Sequence, residues 1–378
     1  MQRLEKRLQS WRDAGLISTE QLQQIAHFEA NQPRKSWGVW GVLGIGATAV
    51  ITGLVSVVAA NWVAIAASTK LVAYFTLQAL LGFGVVRRHD KPGPLREVLL
   101  TCCGLLVLAG IGLIAQIYHL RSEGWQGLTL WLGVTLPLVL LAEHRMLPFI
   151  WVGGVVVTPW IWAQAVRGAL TEVDRILIAG AVSLAPAAAG MLSGRWVLPK
   201  ALANACLVWG MGVACFGGAL FANIAWAEIG RPQETLPWLG VGAVCVVSLA
   251  CVIAAQVRAE LSRAVRGALA ALFLVAAFGG TVPLLLPEAP HSDIAGAVVF
   301  LAIWSLAATV AGLLDLKRLF DLSSAVIALR FVVIYFEVFG SLAATGLGLI
   351  VSGGVIIGVA LVWHRMRARL RSWMEARR

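Results

Sequence analysis

The sequence predicts an all-α, polytopic integral membrane protein: a bundle of about twelve transmembrane helices with a small N-terminal cytoplasmic helical hairpin. Three observations predict it. Of 378 residues, 59% are hydrophobic and only 13% are charged, roughly half the charged share of a soluble domain. The apolar residues gather in blocks of about 20, the length at which a helix rising about 1.5 Å per residue crosses a hydrocarbon core about 30 Å thick. The basic residues fall in short clusters between those blocks, the signature of loops kept in the cytoplasm. In lipid the backbone must satisfy its own hydrogen bonds, so long uninterrupted apolar blocks are helices and not barrel strands.

The chain opens with the polar segment 1–36, predicted as the helical hairpin. Leu4, Leu8 and Trp11 fall on one helical face, and Gly15 offers a stop. Ser18 with Gln21 three residues later resembles a capping box, opening a second helix with Leu22, Ile25 and Phe28 inward. No apolar stretch early in the segment suggests a cleavable signal peptide. Arg34, Lys35 and Trp37 form a basic and aromatic anchor at the membrane entry.

The transmembrane domain is predicted over 37–364, followed by a basic cytoplasmic tail, 365–378. Its spans fall at 37–60, 68–86, 98–118, 127–142, 146–166, 175–192, 200–223, 237–257, 264–286, 294–314, 322–340 and 342–363, the fourth being short. The last two are separated at Gly340-Ser341, because one segment of that length would be about twice the bilayer thickness.

The charges test this segmentation. With both termini inside, 24 of the 30 basic residues are cytoplasmic and five lie outside. Arg330 is the one basic residue left deep within a span, and Glu337 the one acid. An extra or missing helix would swap the sides downstream and destroy this bias. The prediction is therefore a multi-pass protein of the bacterial inner membrane with N- and C-termini cytoplasmic.

The net charge of +11 does not point to nucleic acid, since it is spread over the cytoplasmic loops. Those loops are placed to meet anionic lipid headgroups. The six cysteines all fall in predicted spans, with no C-x-x-C pair, and read as small packing residues. No Walker loop, no G-x-S-x-G elbow and no metal-spaced histidines are found. No cofactor and no enzymatic activity are expected.

Four groups of residues stand out. Arg330 and Glu337 are seven apart on nearly one helical face, about 10.5 Å along the axis, with Tyr335 on another face. An intramembrane charge costs at least about 2.5–3.5 kcal/mol and turns toward a partner or water. The pair is either an ion relay or anion site, or a structural clamp. Gln116, Tyr118 and His119 end the third span, as a titratable site or an interfacial belt. Asn61, Trp62 and Lys70 mark the first outer loop, where Asn61 can cap a helix and Lys70 can snorkel. Small residues four apart (Gly44, Thr48, Thr52, Ser56, Ala60; Gly354, Gly358) allow close helix approach and offer a homo-oligomer contact.

The stretch L-x-x-W-x-x-A-G-L-I-S-x-x-Q from Leu8 to Gln21, A-A-N-W at 59–62, Lys70, A-Q-I-Y-H at 115–119 and Leu130-Trp131 resemble, in combination, the bacterial predicted-membrane-protein family named domain of unknown function 2157. The resemblance covers mainly residues 1–145; the late span with Arg330, Tyr335 and Glu337, the Gly-rich last span and the basic tail also look like the end of such proteins. It implies a bacterial inner-membrane protein and no mechanism.

Two function classes follow. One is a secondary transporter or flippase of a small solute or lipid, suggested by many spans, short loops and one intramembrane charge pair. The other is a non-catalytic membrane scaffold or envelope-stress component acting through protein partners, suggested by the hairpin and the sparse polar core. An intramembrane enzyme built on His119 and an acid is the weakest reading. A water-accessible cavity lined by Arg330 and Glu337 would favour transport, and close packing of both would favour the scaffold.

Overall fold

The computed structural model describes residues 12–15, 18–24, 62, 64–88, 93–168, 170–193, 198–228, 237–258, 260–285 and 293–343, with the backbone alone for Pro94, Ala227, Glu228, Asp293 and 335–343. Every regular element among these residues is a helix. The chain forms two compact units, Met1–Lys70 and Leu71–Arg378.

In the first unit, Gly15 adopts φ +71°, a conformation that costs glycine nothing. Ser18 and Gln21 exchange the two bonds of a capping box, Gln21 N–H donating to Ser18 Oγ at 3.1 Å and Ser18 N–H to Gln21 Oε1 at 2.8 Å. The pairing of two helices proposed for 1–36, the first span and its small-residue ladder lie outside the described residues, as do the last span and the basic tail.

The long helices are α1 (Ala67–Arg87), α2 (Pro94–Ile117), α3 (Gly124–Leu140), α4 (Met146–Ala165) and α5 (Glu172–Leu192). Then α6 runs as Lys200–Gly212, a π-helical turn Val213–Gly217, and Gly218–Glu228. They are followed by α7 (Trp238–Val257), α8 (Arg263–Leu285), α9 (Asp293–Leu313) and α10 (Lys317–Ala343). Eight of these are long and apolar enough to cross a membrane, and α3 is a shorter apolar helix of 17 residues. The helices sit where the second to eleventh predicted spans were placed, within a few residues.

One boundary is corrected. The break expected at Gly340-Ser341 is absent, and α10 continues through both residues to Ala343. Glycine and serine lack proline's helix-breaking chemistry, and in a low-dielectric setting a helix keeps its backbone bonds rather than open them. Likewise α3, α4, α5 and α8 run through Pro137, Pro159, Pro186 and Pro283.

In the second unit α5 is central, packed on α4, α6 and α7, while α8 and α9 close against α6 and α10 joins α9. The core is made of small side chains: Ala187, Cys251, Ala254 and Ala255 are 0% exposed. The α5–α6 crossing needs glycine. A Cβ at Gly190 would lie 2.8 Å from the Leu207 backbone nitrogen, and one at Gly210 would collide with Ala187. Tryptophans then bridge neighbouring helices by donating to backbone carbonyls: Trp131 to Gly104 at 2.7 Å, Trp151 to Leu132 at 3.0 Å, Trp209 to Phe149 at 2.8 Å and Trp226 to Gly279 at 2.8 Å. A helical carbonyl has a second lone pair for such a bond. Large apolar side chains such as Leu80, Phe83, Val246 and Ile294 point outward, the arrangement a lipid surround favours.

Contacts between helix ends follow the alternation predicted for the spans. Arg96, at the start of α2, donates to Glu143 Oε1 at 3.0 Å and to Leu141 O at 3.3 Å just beyond α3. Asp174, at the start of α5, accepts from Gly240 N–H at the start of α7 at 2.8 Å. Arg266, at the start of α8, donates to Gln256 O at the end of α7 at 3.1 Å.

Candidate functional site: a cavity at a π-helical turn beneath a charged recess

Within the second unit, Arg330 lies in α10 and the Gln116–Tyr118–His119 group at the end of α2. Arg330 is buried at 8% exposure; its Nη2 donates to Asn223 Oδ1 at 3.2 Å, and its guanidinium carbon lies 5.6 Å from the Phe300 ring centre. A cation over an aromatic face with a side-chain acceptor is a packed arrangement holding α6, α9 and α10 together. Gly296 makes room for it, since a Cβ there would meet Asn223 Oδ1 at 3.0 Å. Tyr335 and Glu337 lie in α10, so Arg330 and Glu337 share one continuous helix; the side chains of Tyr335 and Glu337 lie outside the described residues.

Gln116, Tyr118 and His119 form a helix terminus. Tyr118 caps α2, His119 takes φ +50°, and Leu120 N–H returns to Ala115 O at 2.9 Å. This is the Schellman pattern, with His119 in the left-handed position usually given to glycine. Asp315 does the same after α9, at φ 57° with Leu316 N–H bonded to Ala311 O at 2.8 Å. Lys70 Nζ lies 4.5 Å from the centre of a Trp62 ring, a cation–π contact. Asn61 lies outside the described residues.

Several buried polar groups were not foreseen. Arg96 and Glu97, read as loop charges, are 6% and 4% exposed in the first turn of α2. Glu97 Oε1 accepts Glu143 N–H at 3.0 Å, 3.8 Å from Arg96 Nη1 and 3.9 Å from His144 Nδ1. This network ties α2 to the α3–α4 connection. Asp174, also read as a loop residue, is 6% exposed.

A void forms where α4, α5, α6, α7 and α8 meet. It is an apolar cavity of about 80 Å³, bounded by Trp160, Ile176, Gly180, Gly217, Phe221 and Ser248 among others. The π-helical turn of α6 supplies part of its wall through Val213, Ala214 and Gly217. Single π turns inserted in α-helices recur at functional sites, because the extra residue displaces one helix face. Glycine opens the opposite wall: a Cβ at Gly180 would meet nothing within 4 Å. Ser248 is 2% exposed, and its Oγ has no hydrogen-bond partner among the described residues. Buried hydroxyls normally find one, and leaving it out costs about 1–3 kcal/mol.

At the end where α4 stops and α5 begins lies a wider recess of about 650 Å³, lined by Gln164, Arg167, Glu172 and Arg175. Trp160 and Ile176 border both spaces. The recess is rigidly framed. Arg175 donates from Nε to Ala163 O at 2.9 Å and from Nη1 to Leu170 O at 3.2 Å. Thr171 caps α5, its Oγ1 accepting Asp174 N–H at 3.0 Å and donating to Asp174 Oδ2 at 2.8 Å. Asp174 Oδ1 in turn holds the amino end of α7, where a carboxylate suits the helix dipole. The recess is thus polar and charged, and the cavity below it is apolar apart from Ser248 and Thr281, whose hydroxyl donates to Ala277 O at 2.9 Å.

Residues 9–148 match the family model of predicted membrane proteins DUF2157. The match covers nearly the stretch on which the sequence resemblance rests, and includes α1, α2, α3 and the buried Arg96–Glu97–Glu143 network. The cavity, the π turn and Arg330 lie beyond it. No curated protein and no solved structure matches the chain.

Proposed function

We propose that the chain is a multi-pass protein of the bacterial inner membrane, with twelve spans and both termini cytoplasmic, that binds and moves a small amphipathic solute through its helix bundle as a secondary transporter or flippase does. The observation that carries this reading is the cavity at the π turn of α6, with Ser248 on its wall lacking a hydrogen-bond partner among the described residues and a charged recess that shares Trp160 and Ile176 with it. A wholly structural bundle gains nothing from an unfilled space, which forfeits packing, or from an unsatisfied hydroxyl.

The alternative is a non-catalytic scaffold or envelope-stress component. Its support is Arg330, which is packed on Phe300 and bonded to Asn223 in the manner of a clamp. The clamp argues against Arg330 as an ion relay and leaves the cavity to be explained, so the transport reading is preferred.

The test is transbilayer movement. Protein reconstituted in vesicles is given a single-chain lysophospholipid bearing a fluorophore that an impermeant reductant quenches. The reading expects faster loss of inner-leaflet fluorescence than in protein-free vesicles, and loss of that gain in Gly180→Leu. A wild-type rate equal to that of protein-free vesicles overturns the transport reading. Topology is tested by reporter fusions after residue 90 and at the C-terminus, both expected to read cytoplasmic; an external signal at either refutes the span count.

A further inference from the structure

The recess and the cavity have the geometry of one elongated site with chemically different ends. On α5 the cavity wall runs from Ile176 to Leu184, about 12 Å at the helical rise. About 80 Å³ drawn out over that length is a channel one hydrocarbon chain wide, not two. At its upper end Trp160 and Ile176 are shared with the recess, whose lining carries Arg167, Arg175 and Glu172. Arg175 is tied to two backbone carbonyls, whereas Arg167 is exposed at the rim. The lower part holds Ser248. Asp174 and Gly240 are bonded and so lie level at the starts of α5 and α7. Ser248 is eight residues below Gly240, which puts it about 12 Å deeper.

From this arrangement we infer a binding site for a single-chain anionic amphiphile: its acidic group pairs with Arg167 in the recess, its chain passes Trp160 and Ile176 into the cavity, and an oxygen about ten carbons along reaches Ser248. The net positive recess selects one negative charge. The narrow apolar channel selects one chain. Of the two buried hydroxyls on the wall, Thr281 already donates to Ala277 O, so Ser248, without a partner among the described residues, selects a chain that carries its own donor or acceptor at that depth. The site deepens the transport reading by naming its solute class, yet binding is measurable without transport.

The experiment uses the full chain in nanodiscs and four probes of equal length: 10-hydroxydecanoate, decanoate, 1,10-decanediol and 1-decanol. Displacement of a photoreactive single-chain acid, with the labelled peptide identified by mass spectrometry, gives relative affinities. Label is expected on the segments lining the cavity, 176–184, 213–221 or 244–248. The hydroxy acid is expected to bind tightest. Arg167→Gln should remove the preference for acid over alcohol, about tenfold for one charge-assisted contact. Ser248→Ala should remove the preference for the hydroxylated chain and leave the acid preference in place. Gly180→Leu, which fills the open space, should abolish labelling of all three segments. A photoreactive two-chain phospholipid is the second arm, separating a free amphiphile from bilayer lipid; it should not label the cavity.

Labelling that is unchanged in Gly180→Leu overturns the site. An acid preference that survives Arg167→Gln, or a hydroxyl preference that survives Ser248→Ala, overturns the assigned ends. Stronger labelling by the phospholipid than by the single chain overturns the ligand class. A positive result here with no transbilayer movement would refute transport and leave the site standing; movement without cavity labelling would do the reverse.

Discussion

Asp174 Oδ1 accepts the backbone N–H of Gly240 at 2.8 Å, joining the first turns of two helices 66 residues apart in sequence. The same carboxylate accepts a hydrogen bond from the Thr171 hydroxyl, so one buried acid fixes the α5 cap and the start of α7. Asp174→Ala should cost about 2 kcal/mol, because it strands the Gly240 amide and the Thr171 hydroxyl together. Asp174→Asn keeps acceptor geometry and should cost less. Thermal melting of the two purified variants checks the order; an alanine variant at least as stable as the asparagine variant would show that these bonds do not hold the helix starts.

The Arg330–Asn223 contact makes a second claim about stability. Asn223→Leu removes an acceptor from a buried guanidinium and should destabilise by about 2 kcal/mol. Replacing Arg330 with Met in that background should restore part of the loss, since no charge remains to satisfy. A double-mutant cycle measures the coupling; additive costs would mean the two side chains do not act together.

His119 was a candidate because a histidine near a membrane surface can titrate. The backbone explains it more simply. At φ +50° it occupies the left-handed position of a helix end, where glycine carries no steric penalty. His119→Gly should therefore raise stability by about 0.5–1 kcal/mol with no change in vesicle flux. A variant that keeps its stability and loses flux would restore a functional role to the imidazole.

Ser248 makes the opposite pattern. Its hydroxyl is buried without a partner among the described residues, so Ser248→Ala should leave the melting temperature unchanged or slightly higher. A drop equivalent to more than about 1 kcal/mol would show a hydrogen bond and remove the argument for a ligand-facing hydroxyl.

Much of the architecture is written in local patterns. Length and apolarity place α1 to α9, and Ser18 with Gln21 announces its capping box three residues apart. Gly340-Ser341 misleads because a span-length argument assumes one crossing per 20 or so residues, whereas α10 simply runs on. The site is mostly illegible for a different reason. Arg96, Glu97 and Asp174 look like loop charges until tertiary contacts bury them at helix starts. Ser248 is one small residue in an apolar run, distinguished only by its place on the cavity wall with no partner among the described residues. The π turn leaves at most a faint trace, the glycine pair Gly217-Gly218 within a long apolar helix. Arg330 alone was visible both ways, since no apolar span hides an arginine.

The account rests on the cavity being a place where a ligand goes. The most direct test is the melting temperature of the full chain in nanodiscs, with and without saturating 10-hydroxydecanoate, for wild type and Gly180→Leu. A ligand that binds only the folded state raises the melting temperature in proportion to occupancy. Leucine fills open space and replaces a helix-weakening glycine, so the unliganded variant should melt at or above wild type. The account predicts that 10-hydroxydecanoate raises the melting temperature of wild type and leaves Gly180→Leu unmoved. An equal rise in both proteins would place the amphiphile elsewhere and contradict it.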